Sequence, residues 1–501
     1  MDKQTSDLTS LLEDALTVRQ NLSFYRTRVR EISRHCDQQE ASHNKRINDL
    51  QAEIQSLHQQ AEASRHALAS LKASSSWRLT APLRVIARLA HKELTFAKLL
   101  ATGRFADIRT LLKKAGVTRP SVKDCAYTPG AILILSRPDD TSGMARALSA
   151  ALTAAGFKAE TVSSMPDICT AQFCFVINPQ KFEELPPATH RICVQPAFTP
   201  GSLPENYVAM LKDSRAVLAE SQQEIEALAQ QGITYPSVFY VPEPGSEGDF
   251  HFFLCRLMMA LGATDFSALY DQCAQHEIKT QLIALSLPET FERHELLKSK
   301  TSAALVFPGL RATPGWVGAA CSFKYLAKKL LEAGVEQALI FEDDAEFTEG
   351  MNPEDILSFA LKIRQEHCRW DVFSAFISDL HPDATISSVF KADGRQCVLL
   401  NRMVGMVCNV YSRNALTLIA EWDETNPDVG HNTIDRYLEA HDDLKIVTTC
   451  PFLVGHNEEM TSSLWHVKNS TMNHAFTTSS NLLFEKIWQF RTEKALKQGK
   501  E

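Results

Sequence analysis

From residue 131 onward the chain repeats one pattern, a short apolar run followed by a helical stretch. The apolar runs are Ala131-Ile-Leu-Ile-Leu-Ser136, Phe173-Cys-Phe-Val-Ile177, Ile192-Cys-Val194, Ala216-Val-Leu218 and Val238-Phe-Tyr-Val241. Helical patterns lie between several of them, at Ser142 to Ala155 (closed by Gly156) and at Gln222–Gln231. Runs this short and this apolar predict strands buried on both faces, and their alternation with helices predicts an α/β fold with a parallel sheet. The pattern resumes at Thr280-Gln-Leu-Ile-Ala-Leu-Ser-Leu287, in the helix running from Pro314 to Gly334, and at Ala338-Leu-Ile-Phe341. Gly334 suits a left-handed helix stop.

A chain of 501 residues exceeds one ordinary core, so several folded units are expected. We place them at 1–75 (a helical coiled coil), 76–124 (a basic amphipathic linker), 128–262 (a Rossmann-like module) and 278–490 (the part carrying chemistry). In the first unit Leu22, Tyr25, Val29, Ile32 and Cys36 step 3-4-3-4, as do Ile47, Leu50, Ile54, Leu57 and Ala61, without Pro or Gly. That spacing predicts a homo-oligomeric coiled coil; a single helix docked on its own chain satisfies it too. From Trp77 to Asp124 eleven lysines and arginines face three acids, although the whole chain carries a net charge of −8. With Trp77, Leu79, Leu83 and Ile86, this segment suits an anionic membrane surface or, equally, an acidic face of the protein itself. The acidic total gives no reason to expect nucleic acid. There is neither a signal-peptide pattern nor an apolar run of about 18 residues. Twelve cysteines without a CxxC pair point to free thiols in a reducing compartment. Location is therefore expected to be cytoplasmic, at most peripheral on an inner membrane.

The first strand–helix junction, Ser136-Arg-Pro-Asp-Asp-Thr-Ser-Gly143, lacks the glycine fingerprint of a dinucleotide site. Chemistry is signalled instead where the strand Ala338–Phe341 runs into Glu342, Asp343 and Asp344. Ligands of α/β sheets bind beyond the carboxyl ends of strands, and clustered carboxylates there suit a hard cation such as Mg²⁺ or Mn²⁺. A solvated acidic loop is the plainer alternative.

Three segments carry a specific resemblance. Ile283-Ala-Leu-Ser-Leu-Pro-Glu-Thr-Phe-Glu-Arg293, Gly315-Trp-Val-Gly-Ala-Ala-Cys-Ser322 and Ala338-Leu-Ile-Phe-Glu-Asp-Asp-Ala-Glu-Phe347 are similar, in that order, to the "INL…R", "GEIGCxLSH" and "ALILEDDxxF" blocks of glycosyltransferase family 25, the lipooligosaccharide and procollagen galactosyltransferases. Weaker agreement follows at Gly405–Ala415, Ile434–Leu438 and Ser462-Ser463. Trp316 and Phe323 stand where that family has Glu and His. The module at 128–262 resembles part of a two-Rossmann-domain glycosyltransferase, through Ala216-Val-Leu-Ala-Glu-Ser-Gln222, Gly232-Ile233 and Tyr240-Val-Pro-Glu-Pro244.

The family 25 resemblance implies a GT-A-like nucleotide-diphospho-sugar domain and an inverting, metal-dependent transfer of a hexose. Galactose from UDP-galactose is the leading donor, and a lipid-linked surface glycan such as lipopolysaccharide the acceptor. Asp343 and Asp344 are then the cation ligands, with Glu342 beside them. Ser286, Arg293, Gly315, Gly318, Ser322 and Glu342 are donor-binding candidates, and Asp435 is the candidate base. Each has a plainer role as well. Asp435 also suits a helix cap or a partner of Arg436, Arg293 a solvent-facing residue, Ser322 a packing residue. Asp371 and Asp379 stand in reserve as bases, whereas His431, His456 and His466 lack metal-site spacing. Two other readings satisfy the same residues, a non-catalytic coiled-coil scaffold and another metal-dependent nucleotide enzyme.

Overall fold

A computed structural model describes residues 121–194, 205–243, 247–301, 303–348, 350–464 and 467–498. The expected coiled coil over 1–75, nearly all of the basic segment over 76–124 and His466 lie outside the described residues, as does any homo-oligomer contact made by the coiled coil. The described elements belong to one unit, 117–501, which holds two main sheets.

The first sheet has six strands: β1 (Ala131–Leu135), β2 (Lys158–Val162), β3 (Phe173–Ile177), β4 (Arg191–Val194), β5 (Ala216–Ala219) and β6 (Val238–Tyr240). Their order is β6-β5-β4-β3-β1-β2 and every pairing is parallel. All five residues of β3 are buried, the signature of a strand covered on both faces. Helix α1 (Met144–Ala154) lays Met144, Leu148 and Leu152 on the sheet and stops where Gly156 takes φ 84°. Helices α2 (Glu205–Asp213) and α3 (Gln222–Gln230) follow, the latter capped by Ser221 Oγ accepting from Glu224 N–H.

The expectation of free thiols fails at one pair. Cys125 and Cys169 form a disulfide, while nine other described cysteines are free. The two residues are 44 apart in sequence, but two short parallel strands align them with Cα atoms 4.6 Å apart. Spacing along the chain carries no trace of that pairing.

Helices α4 (Glu247–Ala260) and α5 (Phe266–Gln272) lead to the second sheet. Its strands are β7 (Leu282–Ser286), β8 (Leu305–Pro308), β9 (Gln337–Glu342), β11 (Val372–Ser374), β12 (Ile386–Ala392), β13 (Arg395–Leu400), β14 (Cys408–Ser412) and β15 (Ile446–Thr449). Between them in sequence, β10 (Ala345–Phe347) pairs with β16 (Val454–His456) in a separate ribbon. The order of the large sheet is β8-β7-β9-β14-β11-β15-β13-β12. Strands β8, β7 and β9 are parallel, and β9 meets β14 antiparallel, so the sheet is mixed. Helices α6 (Phe291–Lys300), α7 (Gly315–Glu332), α8 (Pro353–Glu366), α9 (Arg413–Glu421), α10 (Val429–Asn432), α11 (Ile434–Glu439) and α12 (Asn473–Gln498) complete the unit. One apolar core lies on each face of this sheet, the larger including Phe323, Leu326 and Leu330 of α7.

A buried ionic network ties the two sheets together. Arg256 of α4 holds both oxygens of Glu289 at 2.6 and 2.8 Å and donates through Nε to Gly309 O at 2.6 Å. Arg311 donates to Val238 O at 2.8 Å, and its guanidinium lies 3.7 Å from the centre of the Phe239 ring. Tyr240 N–H reaches Glu289 at 3.2 Å. Burial alone would raise the pKa of Glu289; Arg256 and Arg311 outweigh it and hold the carboxyl down to about 2. The end of β6 is thereby fixed to the two loops, 287–290 and 309–312, that follow β7 and β8.

Candidate active site

Parallel pairing of β7 with β9 sets Leu285 beside Glu342, so both strands end at the same level. Ser286 closes β7, and Asp343 and Asp344 make the turn after β9. Ser286 Oγ donates to Asp343 Oδ2 at 2.8 Å. From the first turn of α6, Arg293 donates through Nε to Asp343 Oδ1 at 2.9 Å, makes a second, very short contact with the same oxygen through Nη2, and reaches Thr461 O at 2.9 Å through Nη1. Its Nη2 also stands 3.4 Å from Asp344 Oδ2. That oxygen accepts from Asn469 Nδ2 at 3.0 Å, while Asp344 Oδ1 is buried without a hydrogen-bond partner.

Three acids against one arginine leave an excess of negative charge in a place with little water. Burial raises the pKa of Asp343 and Asp344 adds to the rise, while Arg293 and Ser286 oppose it. Glu342 is pushed up to about 8, first by burial and then by the charges of Asp344 and Asp343. Burial works against the charge of Arg293, yet Asp343 and Asp344 keep it firmly protonated. The arginine is therefore an internal counter-ion of the aspartates and not the solvent-facing residue its position on a first helical turn allowed.

These residues line one pocket. Ser286, Arg293, Gly315, Ser322, Glu342, Asp343 and Asp344 all contribute to its wall, joined by Tyr235, Arg311 and Ser462–Leu464. It is narrow, about 90 Å³, and across Glu342 it adjoins a cleft of about 790 Å³. Asp435 lines that outer cleft with Asp379, His431, Trp316 and Phe323. Its charge is felt at Glu342. Asp435 Oδ1 accepts the N–H of Arg436 at 2.9 Å, but the Arg436 guanidinium turns to Asp379 and Glu439, each at 2.8 Å. No described side chain pairs with the Asp435 carboxylate, and the cap of α11 is Thr433.

Two of the sequence candidates have packing roles. Gly318 stands outside the pocket wall, where α7 crosses the 310–312 loop; a Cβ there would lie 2.7 Å from Ala312 N and 2.9 Å from Leu310 O. Ser322 Oγ donates to Gly318 O and accepts from Leu310 N–H, both at 2.8 Å, so its hydroxyl is spent on holding that loop. Trp316 and Phe323 are core residues packed edge-on to Trp422 and Tyr411. Asp371 accepts from Asn414 and from Lys445 N–H and serves structure. His456 lies against Asn469 O, and His431 pairs with Asp428.

Sequence reasoning missed Asn469, Arg256, Arg311 and the functional weight of Glu289. Asn469 lies 125 residues from the aspartate it holds, and no local pattern marks it.

Among the described residues these carboxylates do not converge into a group of three cation ligands. Asp343 has both oxygens engaged, whereas Asp344 Oδ1 is free and Glu342 faces both cavities. Magnesium-type ions are commonly held by one or two carboxylates plus substrate phosphates, which matches this supply. Compared with known proteins, the chain matches no family model and no curated sequence.

Proposed function

We propose that this protein is a metal-dependent, inverting glycosyltransferase. The observation that carries the reading is the joining of two cavities at Glu342, with Asp344 and Arg293 on the inner side and Asp435 on the outer. A diphosphate needs a compact, cationic, hydrogen-bonding seat. The inner pocket offers the first turn of the 18-residue helix α7, whose N-terminal end favours anions, while Arg293 offsets part of the charge of the acids and a bound cation would offset the rest. A sugar and its acceptor need more room, and the outer cleft falls within the usual range of ligand pockets.

Asp344, through Oδ1, and Glu342 would hold Mn²⁺ or Mg²⁺, which when bound neutralises the departing diphosphate. Asp343 orients Arg293 and is itself fixed by Ser286. Asp435, unpaired with its neighbouring arginine, takes the proton of the acceptor hydroxyl as the bond to the anomeric carbon forms. The three segments that resemble glycosyltransferase family 25 supply Ser286, Arg293, Gly315 and the acids, in agreement with this reading and with a GT-A-like domain. On that resemblance the donor is a UDP-hexose, with UDP-galactose first, and the acceptor a lipid-linked surface glycan at a membrane face. The region 128–262 then acts as a support that clamps the pocket loops through Arg256, Glu289 and Arg311.

The experiment is incubation of the full chain with Mn²⁺ and a panel of nucleotide sugars, following nucleoside diphosphate release, with donor binding measured by calorimetry on the same samples. Release or binding of one donor upholds the proposal. If no nucleotide sugar is bound or turned over, the chain is a scaffold and not a transferase.

A further inference from the structure

A second group of ligand-type side chains lies away from the pocket. His251 and Cys255 stand one turn apart on α4 and so share a face of that helix. Cys273 is the C-cap residue of α5. The imidazole and the two sulfurs lie within 4.8 Å of one another, with Cys255 Sγ 3.7 Å from His251 Nε2. Gln272 closes the group: its Oε1 is 3.4 Å from Cys255 Sγ, and its Nε2 is fixed by donation to Ala155 O at 2.9 Å. Both cysteines are buried, and His251 provides the more accessible side.

A tetrahedral zinc ion with Zn–S of about 2.3 Å and Zn–N of about 2.0 Å sets its donors roughly 3.3–3.8 Å apart. The observed separations need a shift of about an ångström to meet this. Two thiolates and Zn²⁺ sum to zero charge, which a buried site tolerates. Thiolate and imidazole donors select zinc over the hard cations suited to the carboxylate pocket. Besides its hydrogen bond to Gln272 O, the histidine nitrogen stands beside the Cys255 sulfur, which also faces the Gln272 amide oxygen, so ligand-type atoms from two helices converge on one buried point.

We propose that His251, Cys255 and Cys273 form a structural zinc site, with the Gln272 amide oxygen completing the tetrahedron. Loading is a ligand exchange and needs no oxidant. The two thiols lose their protons to solvent, and the Nε2 proton now directed at Gln272 O gives way to the Nδ1–H tautomer. The ion rivets α4 to α5. Arg256, next to Cys255, holds Glu289, so the same rivet steadies the clamp on the pocket loops. The proposal does not depend on the transferase reading.

The test uses the full chain, purified without chelator, saturated with zinc alone and dialysed, with metal content measured by elemental analysis. A Co²⁺-substituted sample is followed by absorption spectroscopy. About one zinc per chain is expected, together with a thiolate-to-cobalt charge-transfer band and the strong visible bands of a tetrahedral ion. Cys255→Ser and Cys273→Ser should lose both the zinc and the band. Cys174→Ala, which removes the free thiol of the other described cysteine group and leaves the Cys125–Cys169 disulfide intact, should keep them. Absence of stoichiometric zinc in the natural protein overturns the proposal, as does zinc retained by Cys273→Ser or lost from Cys174→Ala. Should the serine variants fail to fold, a cobalt spectrum of the natural protein without the charge-transfer band overturns it on its own.

Discussion

Glu342 stands where the two cavities meet, and burial beside two aspartates disfavours its ionised form. Its pKa rises from an ordinary 4.5 to about 8 in the folded chain. Below about pH 4.5 the carboxyl is protonated in both folded and unfolded chains. Between there and about 8 only the folded chain keeps the proton, so each step up in pH takes stability away, and above 8 the loss is complete. Glu342→Gln should therefore show a flatter stability–pH profile from pH 5 to 8 than the natural protein, measured by urea denaturation. Added Mn²⁺ should shrink the difference by favouring the ionised form. Equal slopes for the two proteins would show that Glu342 does not carry this proton. The acids themselves were legible in the sequence because three of them follow one strand. The division of labour among them was not, because it depends on Arg293, Ser286 and Asn469 arriving from other elements.

At the scale of elements, legibility followed burial. Strands such as β3 and β9 sit between two layers and read as unbroken apolar runs, so their positions follow from composition alone. The β12–β13 hairpin is a partly exposed sheet edge, and its alternating residues give a weak signal. Asp393-Gly394, with φ of 46° and 75°, is the two-residue turn that marks it, a pattern the apolar runs did not draw attention to. Gly318 shows the same limit inside α7. Its place in a motif suggested ligand contact, whereas the backbone of the 310–312 loop lies too near for any side chain. Gly318→Ala should cost about 1–3 kcal/mol of stability in thermal or chemical unfolding, as overpacking does. It should also weaken donor binding by displacing the pocket wall. A variant of unchanged stability would mean the helix and loop are looser than described.

Across the whole molecule, the first sheet contributes to the pocket by fixing its loops. Glu289 is buried between Arg256 and Arg311, so Glu289→Gln leaves two guanidinium groups short of a counter-charge. Breaking a buried ion pair from one side typically costs about 3–5 kcal/mol. Chemical denaturation of this variant should show a loss of that order, with nucleotide-sugar affinity falling alongside. A loss below about 1 kcal/mol would mean the network is solvated and the sheets are not clamped by it. The cross-sheet network had no sequence signature, since each partner is an ordinary charged residue until the fold brings them together. Among the described residues no helix is long and apolar enough to cross a membrane. In the proposed site Asp344 supplies the carboxylate oxygen that would hold a cation under a diphosphate. The most direct measurement is nucleoside diphosphate release from the preferred donor across a Mn²⁺ titration, comparing the natural protein with Asp344→Asn. Metal-dependent release should fall at least a hundredfold in the variant, with its melting temperature nearly unchanged. Release that is independent of Mn²⁺, or undiminished in Asp344→Asn, would contradict it.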